Sequence, residues 1–137
     1  MAKYVNLFLE EGNEQLAEMS RGLLTLEKDP ASADSIDLIF RMAHSIKSMA
    51  ASLGFDSISE VAHRLEDRMQ SIRSDGRVSS GDLSLLFRGL EAMERMVAHV
   101  REHGEPPPVD ESLVEALRAE PGAPPDGADP NPKKALT

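Results

Sequence analysis

Apolar residues recur at three- and four-residue steps through four long segments of the chain, and nowhere follow the two-residue alternation of a strand. The first segment runs from about Ala2 to Glu27, with Val5, Phe8, Leu16, Met19, Leu23 and Leu26 on one face. "KDPASAD" interrupts it, because Pro30 cannot continue a helix and Ser32 or Asp34 can cap the next one. The second segment reaches Leu53, where Gly54 is placed to take the left-handed conformation that ends a helix. Asp56 or Ser57 is expected to cap the third, since Ser57 and Glu60 have capping-box spacing. That helix should reach about Ser74, before the turn "SDGRVSSGD". The fourth should run from near Ser80 to near His103, with Leu83, Leu86, Phe87, Leu90, Met93, Val97 and Val100 aligned.

Four such helices joined by short turns predict an all-α, antiparallel up-down-up-down four-helix bundle over residues 1–103. After the stop "GEPPP", "VDESLVEALRAE" can form a short fifth helix within 104–120. Residues 121–137, rich in Pro and Gly, have almost nothing to bury and are expected to be a flexible linker leading to further domains. No internal repeat is visible.

Composition narrows the possibilities. The chain has 137 residues, enough for one domain with a real core. Without Trp, and with one Tyr and four Phe, that core must be aliphatic and methionine-rich. A net charge of −9 argues against a nucleic-acid partner, which needs clustered Lys and Arg. The absence of cysteine excludes disulfides and thiolate metal sites. No apolar run has membrane-spanning length and the N-terminus lacks a signal-peptide core, so a cytoplasmic protein is expected.

Against this background His44 stands out. On a wheel of about 100° per residue, Ile39, Met42, Ala43, Ile46, Met49, Ala50 and Leu53 gather opposite it. Its own side carries Asp37, Phe40, Arg41, Lys47, Ser48 and Ala51. His44 is therefore exposed, with small residues beyond it and a cation at i+3. It lies about 15 Å below the turn at Gly54. An antiparallel third helix returns to that level at His63, Arg64, Leu65 and Glu66. Glu66 falls on the shoulder between the apolar stripe and solvent, where it can reach the imidazole.

A carboxylate accepting from Nδ1–H would leave Nε2 as the exposed nucleophile. Lys47 could then offset the charge of a phosphoryl group arriving there. The pattern predicts a phosphoryl carrier, which must be open to two partners in turn. A non-catalytic helical adaptor is the alternative.

Two other patterns carry less. Glu60 and His63 have the Glu-x-x-His spacing of carboxylate-bridged metal bundles, but there is one copy and His63 lies opposite the stripe, so no metal is expected. His99 and His103 end the fourth helix, where a cation suits the dipole, and no chemistry is assigned to them.

The residues "IFRMAHSIKSMAASLGFDSISEVAHRLEDRM", with the opening "YVNLFLEEGNEQLAEMSRGLLTLEKDP", resemble the histidine phosphotransfer domain at the N-terminus of chemotaxis-type sensor histidine kinases, the CheA family. The resemblance spans roughly residues 1–103. It implies that His44 accepts a phosphoryl group from ATP, bound with magnesium on a separate kinase catalytic domain. The group would then pass to an aspartate of a response regulator receiver domain, CheY-like or CheB-like. It further implies that Glu66 orients the ring, that Lys47 meets phosphate charge and that His63 gives support at most. Phe40, Arg41, Ser48 and Ala51 would border the docking surface. Many family members have two glycines after the lysine, where this chain has Ser48 and Met49. There is no nucleotide-binding motif, so the chain is expected to act as substrate and relay. The domain is expected to be monomeric and to work within a chemoreceptor signalling cluster.

Overall fold

The computed structural model describes residues 2–119, so the expected linker at 121–137 lies outside the described residues. Five helices follow one another: α1 (Ala2–Lys28), α2 (Ala33–Ser52), α3 (Asp56–Asp75), α4 (Ser80–His103) and α5 (Glu111–Arg118). Each of the first four packs on the next and α4 closes back on α1, while α5 lies against α3 and α4. Among the described residues there is no strand. Among the same residues no helix is long and apolar enough to cross a membrane.

The helix ends follow local chemistry, with one departure. Ser32 caps α2 by accepting from the Ser35 amide, Ser79 caps α4 through the Asp82 amide, and Asp110 caps α5. The helix α3 begins at Asp56 from Phe55, without a side-chain cap, so neither Asp56 nor Ser57 fills the expected role. Phe55 is buried edge-on against Phe8, with ring centroids 5.4 Å apart. That apolar anchor sets the entry angle of α3 instead. Gly54 has a φ of 74°, a left-handed conformation that turns α2 into α3 at little steric cost.

The core is the aliphatic and methionine-rich one that the composition requires, with Met19, Leu23, Ile39, Ile46, Leu65, Met69 and Met93 essentially inaccessible. Each such side chain contributes about 1.5–3 kcal/mol over leaving it in water. Close approach of α3 and α4 depends on Gly89, where an added Cβ would sit 2.8 Å from Leu65 Cδ2. At the end of the bundle away from Gly54, the Val78 amide donates to Pro30 O and ties the two loops together. The helix α5 buries Leu113, Val114 and Leu117. It is fastened by Arg68 of α3, whose guanidinium donates to Asp82 Oδ1 at 3.1 Å and to Ala116 O at 2.9 Å.

Candidate functional site: an exposed imidazole held between two helices

The rotation of α2 is set by Ala43, Ile46 and Ala50, all buried, and that of α3 by Ala62, Leu65 and Met69. With those stripes fixed, His44 and Lys47 point out beside α3, and Glu66 points toward them from the groove edge. The backbone around the histidine is tied down on both sides. Gln15 of α1 donates to Ser45 Oγ at 2.9 Å, and Ser59 Oγ of α3 donates to Lys47 O at 3.4 Å.

Three side chains converge. His44 Nδ1 is 2.6 Å from Glu66 Oε2, and Lys47 Nζ is 2.6 Å from Glu66 Oε1. The His44 side chain is 57% exposed, whereas that of Glu66 is 12% exposed and that of Lys47 27%. Burial pushes the Glu66 carboxyl upward in pKa. The hydrogen bonds and positive charges of Lys47 and His44 outweigh this and hold it below its ordinary value. Glu66 is therefore ionised at neutral pH and can only accept, so Nδ1 must carry the proton. In the neutral tautomer that leaves the Nε2 lone pair on the solvent side. The arrangement is an oriented, accessible imidazole, and its neutral form is suited to nucleophilic attack on an electrophile delivered from outside.

Lys47 was expected to face only an incoming anion. The structure adds that it braces Glu66 through the second carboxylate oxygen, so one cation both positions the acceptor and stands beside it.

The other candidates are spread around this centre. Ser48 and Ala51 are exposed and low, as the wheel requires. Arg41 is exposed and paired to Asp37 at 2.9 Å. Phe40 is only partly exposed, because the Arg73 guanidinium of α3 lies 4.7 Å from its ring centroid. Arg73 also reaches Asp37 at 3.2 Å. Phe40 thus packs partly on the core with a guanidinium over its ring, and neither Arg73 nor Gln15 stood out in the sequence. Only a charge opposite an aromatic at matched height would have signalled Arg73. His63 faces Asp67 along its own helix, with Nε2 3.6 Å from Oδ2, rather than joining the three. Among the described residues no group of three potential ligands could hold a metal.

Five helices among the described residues, with a bundle that presents one oriented imidazole, fall in the class of helical histidine-bearing modules. The chain belongs to the Hpt domain family, whose model matches residues 3–120. It is 36% identical over 106 residues to the chemotaxis protein CheA of Bacillus subtilis, a match covering 77% of this chain and 16% of that protein. It thus spans about a sixth of the length of that relative. The CheA phosphotransferase domain from Thermotoga maritima is 32% identical, with a TM-score of 0.68 over 72% of this chain and 95% of that one. The same fold recurs in the phosphorylated P1 domain of CheA3, solved in complex with CheY6 from R. sphaeroides. That chain has a TM-score of 0.78 and 23% identity, over 86% of this chain and 94% of that one.

Proposed function

We propose that this chain is the phosphotransfer domain of a chemotaxis histidine kinase and that His44 is its phosphoacceptor. The observation that carries this is the 2.6 Å contact of His44 Nδ1 with an ionised Glu66, on a ring that is otherwise open to solvent.

The Nε2 lone pair attacks the γ-phosphorus of ATP held with magnesium on a separate kinase domain. A P–N bond forms as the bond to the ADP oxygen breaks. No proton has to leave Nε2, and the Nδ1–H stays on the ring. The phosphorylated ring then carries positive charge, which the Glu66 carboxylate offsets. Lys47, 2.6 Å from that carboxylate, meets part of the phosphoryl charge. In the return step an aspartate oxygen of a response regulator attacks phosphorus, the P–N bond breaks, and its electron pair returns to Nε2.

A CheY-like or CheB-like receiver is the proposed acceptor. It would dock over Ser48 and Ala51, flanked by Phe40 and Arg41. Membership of the Hpt family and similarity to CheA proteins support this reading. His63 gives at most a minor contribution. The domain acts as a monomeric module in the cytoplasm, within a chemoreceptor signalling cluster.

The test is incubation with a chemotaxis kinase core and radiolabelled ATP. Alkali-stable, acid-labile label is expected on the wild-type chain and none on His44→Gln, whose melt should stay within about 0.5 kcal/mol of wild type. Label on the His44→Gln chain would place the acceptor elsewhere.

A further inference from the structure

His99 and His103 take no part in the site above, and they lie one turn apart on α4, near its C-terminus. Two histidines at i and i+4 share a helix face, a spacing that helical metal sites use. Here the rings meet, with centroids 4.3 Å apart and planes inclined by 42°. A common ion would have to sit about 2.0–2.1 Å from one nitrogen of each ring.

A second observation concerns which nitrogen is free. His99 Nδ1 is 2.8 Å from Glu105 O, and a carbonyl only accepts, so Nδ1 carries a proton and Nε2 is the nitrogen left for a ligand when the ring is neutral. Histidine ligands are commonly oriented in this way, by a backbone carbonyl on the ring's other nitrogen. His103 Nε2 lies 3.8 Å from Glu102 Oε1, too far for a hydrogen bond, so that contact leaves its ring free to turn.

The electrostatics favour a cation as well. The pair sits at the negative end of the α4 dipole, just before Gly104 turns the chain away at φ 83°. Glu102 and Glu105 flank it and Arg101 lies between the two histidines in sequence, so the local charge is one cation against two carboxylates, in a chain of net charge −9.

We infer that His99 and His103 form a two-imidazole chelate for a divalent first-row transition ion such as zinc. The described residues gather no third side-chain donor there, which leaves the remaining coordination positions to water. The His44 site is separate in sequence and uses its ring differently, since His44 Nδ1 is bound to a carboxylate that Lys47 also holds.

The experiment uses the full 137-residue chain without an affinity tag, titrated with zinc chloride alone. Calorimetry should show saturable binding near one ion per chain. The imidazole NMR signals of His99 and His103 should move while those of His44 and His63 do not. Zinc should also raise the melting temperature, because it binds the folded helix in preference to the unfolded chain. His99→Ala and His103→Ala should each weaken binding by at least about tenfold, with unchanged circular dichroism. His63→Gln should bind as wild type does. Absence of saturable binding, undiminished affinity in both alanine variants, or shifts confined to His44 and His63 would overturn the assignment.

Discussion

Two of the ion-pair systems on helix α3 start two residues apart, at Glu66 and Arg68, and they behave as opposites. Glu66 reaches α2, where it holds Lys47 and His44, and the ring it orients is 57% exposed. Arg68 reaches α4 and α5, where its 2% exposed side chain meets Asp82 and Ala116 O. Both systems cross between helices through charge-assisted contacts, 2.6 Å long at Glu66 and 3.1 Å at Arg68. Burial separates their roles. Around Arg68 the charges have been taken out of water, so the cost of desolvation is offset only while each partner stays in place. Around Glu66 solvent still screens the pair, one ring nitrogen remains unused, and an outside group can enter. The same helix is scaffold on one side and chemistry on the other.

The contrast is most strongly tested at Arg68. Arg68→Ala leaves Asp82 buried without its charge partner and loosens α5, so a loss of about 3–5 kcal/mol in a urea melt is expected. The fraction still folded should accept phosphate at the wild-type rate. A melt close to wild type would mean that the Arg68 pair is no more structural than the Glu66 pair.

The converse holds at the open site. Glu66→Gln and Lys47→Ala should slow phosphorylation by tenfold to a few hundredfold, about 1.5–3 kcal/mol of barrier, without eliminating it. Glu66 also makes a pH prediction. Its folded pKa lies below the ordinary 4.5, so its stabilising contribution is complete above the unfolded value and is lost as pH falls through the folded one. The difference in melting temperature between wild type and Glu66→Gln should therefore narrow as pH drops below 4.5. A difference that stays constant through that window would remove the carboxylate's charge from the account.

The smallest effect on the fold is expected from Ser48→Trp. Ser48 is exposed beside His44, so the melt should move by no more than about 0.5 kcal/mol. The indole should nevertheless obstruct transfer to the regulator, measured by loss of label from the phosphorylated chain. Wild-type transfer would mean that the partner approaches from another side.

Much of this was legible along the chain, because the relevant information is periodic and local. The stripe Ile39, Ala43, Ile46 and Ala50 turns His44 outward, and counting residues about Gly54 brings Glu66 to its height. The bounds of α4, from Ser80 to His103, follow in the same way from its apolar stripe and the stop "GEPPP". What was not legible depends on side-chain reach across helices. Lys47 turns to Glu66, Arg73 covers Phe40, and Arg68 spans 48 positions to Ala116. A wheel assigns charged residues to solvent and cannot show which of them fold back onto a neighbour. The entry to α3 was misread for a related reason. Ser57 has the spacing of a cap, but its hydroxyl makes no hydrogen bond, and the packing of Phe55 on Phe8 fixes the turn.

The sharp turn at Gly54 has a consequence for how the site is assembled. His44 and Glu66 are only 22 positions apart, and Lys47 lies between them. The cost of closing a loop grows with its length, and contacts between near neighbours in sequence form soonest. The reacting constellation is thus carried by one contiguous helical hairpin, while α1, α4 and α5 act as its mount. Exposed positions on the mount can vary without resetting the register that brings the carboxylate to the ring.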